Sequence, residues 1–379
     1  MNYRAKQVKA KGPKPTLLLI VLLLVFAAEA CRTTPTLPSA HLPTVTPIPA
    51  LTATPPPLGP TLVRLPLDDS PHPVATEWWY YNGHLIADDG ASYGFHYVFF
   101  RVVNPLEEDL YYIAHLSLSD YQRNAHVIDQ RLTKASLPLM APIPLPGFRM
   151  TADTWAMAGA GGQDLLAASA GEYALTLEVT ATKPAALHKG TGFIDFPLAG
   201  GSYYYSRTRM AVRGTLVDHG AAKKVIGQAW FDKQWGNFQP VRIGWDWFSL
   251  QLSDFSEVML SIVFDQNREE LLRYGTFVDK DGVLKDLAPN EIQIEATAQW
   301  RSPHTNAEYP SGWRITIPEL EMQLDVASRL KDAEFDARAT TGVVYWEGAV
   351  QGSGVSAKKP VTALGFVELT GYVPMALPR

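Results

Sequence analysis

The densest concentration of chemically capable residues is the string Ala229-Trp230-Phe231-Asp232-Lys233-Gln234-Trp235-Gly236, with Gly244-Trp245-Asp246-Trp247-Phe248 close behind it. Four of the ten tryptophans fall within positions 230–247. Two carboxyls, Asp232 and Asp246, and one ammonium, Lys233, stand among those rings. A carboxyl desolvated by indoles holds its proton to higher pH and can serve as a proton donor. An indole wall also suits a flat or extended apolar molecule, or a cation held over ring faces. Indoles in a β protein equally fill core, and a carboxyl buried with them then needs polar partners. Both readings stand at this point.

Other strings carry less. Gly90-Ala91-Ser92-Tyr93-Gly94 matches the GxSxG of serine hydrolases. That motif needs a strand, a strained turn and then a helix, whereas here it opens the second strand of a hairpin. His84, His96 and His115 offer three imidazoles. A three-residue loop at 89–91 would set His84 opposite His96, and a two-residue loop would send them to opposite faces. Hydrogen-bonded histidines of a β-barrel are the expectation, with no metal. HExxH, P-loop and Rossmann fingerprints are absent from the sequence, and nothing in it calls for a cofactor.

Charge and cysteine narrow the class further. Positions 1–60 hold six basic residues and one acid, which leaves 27 bases against 37 acids in the remainder. So acidic a body is a poor match for phosphate backbones, and a nucleic-acid partner is not expected. One cysteine, Cys31, excludes a disulfide framework or a cysteine metal cluster. It follows a basic leader and thirteen largely apolar residues, Thr16 to Ala28, too short to span a bilayer and of the form of a signal peptide. Residues 32–60 then contain nine Pro and seven Thr with one charge, an extended tether. The run into Ala28-Glu29-Ala30-Cys31 resembles a bacterial lipoprotein signal, which implies lipidation of Cys31 and an extracytoplasmic, membrane-anchored protein.

The elements that must position these residues read as strands. Trp78 to Ala87 and Ser92 to Val103 flank Asp88-Asp89-Gly90 as a hairpin. Leu110–Ser119 with Ala125–Leu132, and Phe248–Ser253 with Glu257–Asp265, look like further pairs. Alternation recurs to the C-terminus with turn signals between the runs, and the one helix-like stretch is Val326 to Ala339. An all-β body of this length exceeds one small barrel, so two antiparallel barrels in tandem are expected. The parts are then a signal peptide (1–30), the anchor and linker (31–60) and two barrel domains (61–225 and 226–379), with the seam near 218–240.

In order along the chain, several strings resemble the carotenoid 1,2-hydratase (hydroxyneurosporene synthase) and AttH-like family. They are Glu77-Trp78-Trp79-Tyr80 with Gly83-His84-Leu85, Phe99-Phe100-Arg101, and Ala114-His115 with Ser119-Asp120. Tyr203 to Arg209, the two Trp strings, Tyr345-Trp346-Glu347-Gly348 and Glu368 to Tyr372 follow. The resemblance implies two lipocalin-like barrels side by side. In the hydratase branch it implies addition of water to the terminal double bond of an acyclic carotenoid. That reaction needs an acid for the alkene, electron-rich walls for the cation and a base for the water. By resemblance the catalytic candidates are Asp232, Lys233, Trp235 and Asp265. The hydratase carries His where this chain has Lys233, and Tyr where it has Val263. An ammonium with a pKa of ~10.4 is a poor acid for an alkene and a poor base while charged. The reading is therefore a membrane-tethered lipocalin-like lipoprotein that binds an extended apolar isoprenoid or lipid through Trp78, Tyr80, Trp230, Trp245 and Trp247. The alternative is a hydratase-like hydro-lyase using Asp232 or Asp265 as acid. A third reading is an accessory to a membrane complex such as an ABC transporter.

Overall fold

The computed structural model of the protein describes residues 63–104, 109–135 and 146–374. Cys31, the apolar leader and the Pro/Thr-rich tether lie outside the described residues. The first sheet begins with β1 (Thr76–Ala87), β2 (Ser92–Asn104), β3 (Asp109–Asp120), β4 (Ala125–Ala135), β5 (Phe148–Ala152) and β6 (Trp155–Ala160). It continues with β7 (Gln163–Ala170), β8 (Tyr173–Ala181), β9 (Ala186–Leu187), β10 (Phe193–Phe196), β11 (Gly200–Asp218) and β12 (Ala221–Gly236). The second holds β13 (Gly244–Leu252), β14 (Glu257–Phe264), β15 (Glu270–Val278), β16 (Leu284–Leu287) and β17 (Gln293–Arg301). Its remaining strands are β18 (Glu308–Ile317), β19 (Met322–Ser328), β20 (Glu334–Ala337), β21 (Val343–Ser356) and β22 (Lys359–Thr370).

All pairings are antiparallel, in the order β4-β3-β2-β1-β12-β11-β8-β7-β6-β5 and β16-β15-β14-β13-β22-β21-β19-β18-β17. One sheet is a nearly closed barrel and the other a half-barrel, the tandem lipocalin-like arrangement. The two orders coincide when β13 is laid on β1 and β22 on β12, and β20 pairs with β21 as β10 pairs with β11. The duplication is thus visible in topology although no repeat is visible in the sequence. The link between sheets is 237–243, with a single 3₁₀ turn at Pro240–Arg242. The boundary read at 225/226 falls within β12, which pairs with β1 over Val225–Gly236 and with β11 along its length.

The stretch Val326–Ala339 is not helical. It carries the end of β19, a loop that buries Ala333, and β20, which buries Phe335 and Ala337. Pairing of β20 with β21 overrides the local helical spacing. Outer strands such as β5, β7 and β19 alternate buried and exposed, the signature of one covered face. Along β1, by contrast, residues 79–85 are all buried. One face of that strand fills the first barrel, through Trp79, Tyr81 and Leu85, and the other packs against the second barrel. A shared cluster, including Tyr80, Tyr204 and Trp230 from one sheet and Trp247, Met259 and Phe366 from the other, joins the two. At the rim Glu257 of the second sheet accepts hydrogen bonds from Lys183, Arg209 and Thr208 of the first.

Candidate active site between the two barrels

Period-2 alternation decides which of the candidate residues meet. On β12 the side chains of Trp230, Asp232 and Gln234 turn toward the second barrel, while Phe231, Lys233 and Trp235 turn into the first. On β13, Trp245 and Trp247 face the partner barrel and Asp246 lies on the opposite face, bonded to Tyr372 Oη at 2.9 Å. The facing surfaces enclose a cavity of about 890 Å³. Trp78, Tyr80, Trp245 and Trp247 line it, together with Asp232 and Glu368. Trp230 stands behind this wall, its ring edge-on to Trp247 at 6.2 Å.

Asp232 is 4% exposed and held by three donors. Tyr204 Oη donates to Oδ2 at 2.6 Å, Trp230 Nε1 donates to Oδ1 at 2.6 Å, and Ser206 Oγ donates to Oδ1. Trp247 Nε1 donates in turn to Tyr204 Oη at 2.9 Å. Burial outweighs these donors and pushes the Asp232 pKa up to about 7. Glu368 faces the same cavity, where Trp245 Nε1 and Thr370 Oγ1 both donate to its Oε1, at 3.1 and 3.0 Å. Burial, and then the charge of Asp232, raise Glu368 to about 7 as well. A third carboxyl, Glu347, sits directly across the β21–β22 pair from Glu368 and accepts from Tyr80 Oη at 2.8 Å. Burial, Glu368 and Asp232 hold Glu347 well above the usual carboxylate range. Burial and mutual repulsion make all three acids hold their protons to higher pH than free carboxyls do.

Lys233 and Trp235 belong to a separate cluster inside the first barrel. Lys233 Nζ, fully buried, pairs with Glu77 and lies 3.7 Å from the Trp79 ring centre. Trp235 stacks on His72 at 4.4 Å. Burial lowers the Lys233 pKa to about 8, against the opposing pull of Glu77. The Lys at this position therefore neither supplies nor removes a group in the inter-barrel cavity. Asp265 lines the cavity at the end of β14, where its Oδ1 accepts the backbone N–H groups of Asn267 and Glu269 at 2.8 and 2.9 Å. Its side chain closes a turn.

The three histidines share the inter-barrel face. His84 pairs across the hairpin with Gly94, and His96 with Asn82, so the two stand one diagonal apart and not opposite. His115 donates or accepts at Tyr345 Oη (2.9 Å) and Thr340 Oγ1 (2.8 Å). Among the described residues no group of three His, Cys, Asp or Glu is placed to hold a metal. Sequence reasoning passed over Glu347, Glu368, Tyr204 and Ser206 as site residues. The available signal was a carboxylate inside an aromatic strand, as in Tyr345-Trp346-Glu347 and Phe366-Val367-Glu368.

The model of the AttH-like family matches residues 56–372, and the chain belongs to that family. It is 23% identical over 209 residues to kievitone hydratase of Fusarium solani subsp. phaseoli, a match covering 53% of this chain and 59% of the relative. The chain thus spans about three fifths of the length of that curated relative. An AttH structure from Nitrosomonas europaea superposes with a TM-score of 0.74 at 29% identity, covering 83% of this chain and 99% of the other. Kievitone hydratase from Nectria haematococca superposes at 0.65 with 19% identity, covering 82% and 93%, and shares the fold.

Proposed function

We propose that this AttH-like protein binds an extended, unsaturated apolar molecule between its barrels and adds water across one of its double bonds. The observation that carries the reading is Asp232, a carboxyl held by three donors in the wall of an aromatic cavity, with a pKa near neutrality. Its proton passes to one alkene carbon, leaving a tertiary cation on the other. The faces of Trp78, Tyr80, Trp245 and Trp247, and the charge of Glu368, stabilise that cation. Water then attacks, and its proton goes to Glu368, where both protein donors engage Oε1 and leave Oε2 for the water. The product is a tertiary alcohol, and proton exchange with solvent restores both carboxyls. The hydratase named among the relatives supports this reaction class.

Mass spectrometry of an acyclic isoprenoid incubated with the full-length protein in ¹⁸O-labelled water tests the reading. One labelled hydroxyl in the product is expected. Tight binding with quantitative recovery of unchanged isoprenoid would instead establish a binding module. We further propose that lipidated Cys31 holds the protein at an extracytoplasmic membrane surface, where such molecules dissolve.

A further inference from the structure

Asp232 is joined through Ser206 to a histidine outside the cavity. His188 lies in the turn between β9 and β10 and is fully buried. Its Nε2 is 2.7 Å from Ser206 Oγ, and its Nδ1 is 2.9 Å from Thr276 Oγ1 on β15 of the second sheet. The Tyr204 ring, which carries another donor to Asp232, stands 4.1 Å from the imidazole. A chain Thr276–His188–Ser206–Asp232 therefore crosses from one barrel to the other and ends on the carboxyl. We propose that His188, acting through Ser206, is the positioning residue of Asp232, and that its tautomer follows the charge of that carboxyl. The inference rests on the reading of Asp232 as the group that exchanges a proton.

With Asp232 taking its proton on Oδ1, the oxygen that also accepts from Trp230 Nε1, hydrogen counting gives two states. Ser206 has one hydroxyl proton and gives it to ionised Asp232. The imidazole must then present N–H at Nε2 and accept from Thr276 at Nδ1. When Asp232 takes up a proton at Oδ1, that oxygen becomes the donor to Ser206. The Ser206 proton turns to Nε2, and the ring carries its hydrogen at Nδ1, donating to Thr276. One proton enters the assembly, and the imidazole is neutral in both states. Burial supports this by holding His188 far below the ordinary histidine range, to about 3. The titratable groups facing Asp232 from the packed elements are Tyr204, Tyr274, Glu347 and Glu368, each of which its charge shifts upward. All are acids, so no cation competes for its charge.

The test is long-range ¹H–¹⁵N correlation on full-length, ligand-free protein labelled at histidine, from about pH 5 to about pH 9. The His188 signal is assigned as the one lost in His188→Gln. Wild type is expected to pass from the Nδ1–H tautomer in acid to the Nε2–H tautomer in alkali, through a midpoint near that of Asp232. Asp232→Asn and Ser206→Ala are each expected to hold one tautomer throughout. In an activity profile Ser206→Ala, which removes a donor to the carboxylate, should also move the alkaline limb to higher pH. A constant tautomer in wild type, or an imidazolium forming at the ordinary histidine pKa of ~6.5, would overturn the proposal. Because no substrate is present, a protein without turnover that still shows the tautomer change would sink the hydratase reading and leave this inference standing.

Discussion

A single carboxyl, Asp232, sets most of what the site can do. Its folded pKa lies above the ordinary aspartate value of 3.8, so the native state holds more protons between that value and about 7. Stability contributed by the protonated group is therefore present in acid and lost as pH rises through about 7. Asp232→Asn should flatten that part of the stability–pH curve, measured by urea unfolding at a series of pH values. For activity, the working form has one proton shared between Asp232 and Glu368. Turnover should follow a bell centred near pH 7, with Glu368→Gln removing its acid limb and the wild-type alkaline limb reporting loss of the Asp232 proton. A rate that is flat across this range would exclude the pair. Lys233 answers to different physics, because it is buried against Glu77 and away from the cavity. Lys233→Met should cost ~3–5 kcal/mol by leaving a buried carboxylate with too few partners, and adding Glu77→Gln should recover much of it. Isoprenoid affinity should not change in either variant. Weakened binding with the fold intact would place Lys233 at the site after all.

At the scale of the strand, alternation does the sorting. Trp235 and Trp247 look equivalent in the sequence, yet one fills the first barrel and the other walls the cavity. Trp247→Ala should weaken isoprenoid binding by ~1–3 kcal/mol, read by fluorescence titration. Trp235→Ala should cost ~3–5 kcal/mol of folding stability and leave affinity alone. The opposite pattern would mean that ligand enters the barrel. Strand runs and hairpins were legible in the sequence because their turns and alternation are local, as at Asp88-Asp89-Gly90. The helix expected over 326–339 failed because its spacing is also met by a strand end and a short strand buried under β21. Which face of β12 carries the site was not legible. Over 229–236 β12 is buried on both faces, so hydrophobicity alone cannot say which one meets the other barrel. Glu347 and Glu368 escaped notice for a related reason, since only pairing of β21 with β22 brings them opposite each other.

In the whole molecule the site exists only because two barrels meet. Neither sheet alone encloses the cavity, since β1, β2 and β12 supply one wall and β13, β14 and β22 another. Glu257, which collects Lys183, Arg209 and Thr208, ties the two together away from the site. Glu257→Ala leaves two largely buried cations without their partner and should lower stability by ~3–5 kcal/mol in urea titrations. A change under ~0.5 kcal/mol would show that the shared apolar cluster alone holds the barrels. Lipidation belongs to this scale as well. Cys31→Ala should move the mature protein from the membrane fraction to the soluble one, and a variant that stays with the membrane would refute the anchor.

The most direct test of the central claim compares wild type with Asp232→Asn in two assays on the same isoprenoid, equilibrium binding and single-turnover incorporation of ¹⁸O from water. Binding should be retained within ~3-fold, because the aromatic wall is untouched, while incorporation should fall ~10²–10⁴-fold with loss of the acid. Undiminished incorporation by a folded Asp232→Asn protein would contradict the account, since hydration would then proceed without the carboxyl on which it is built.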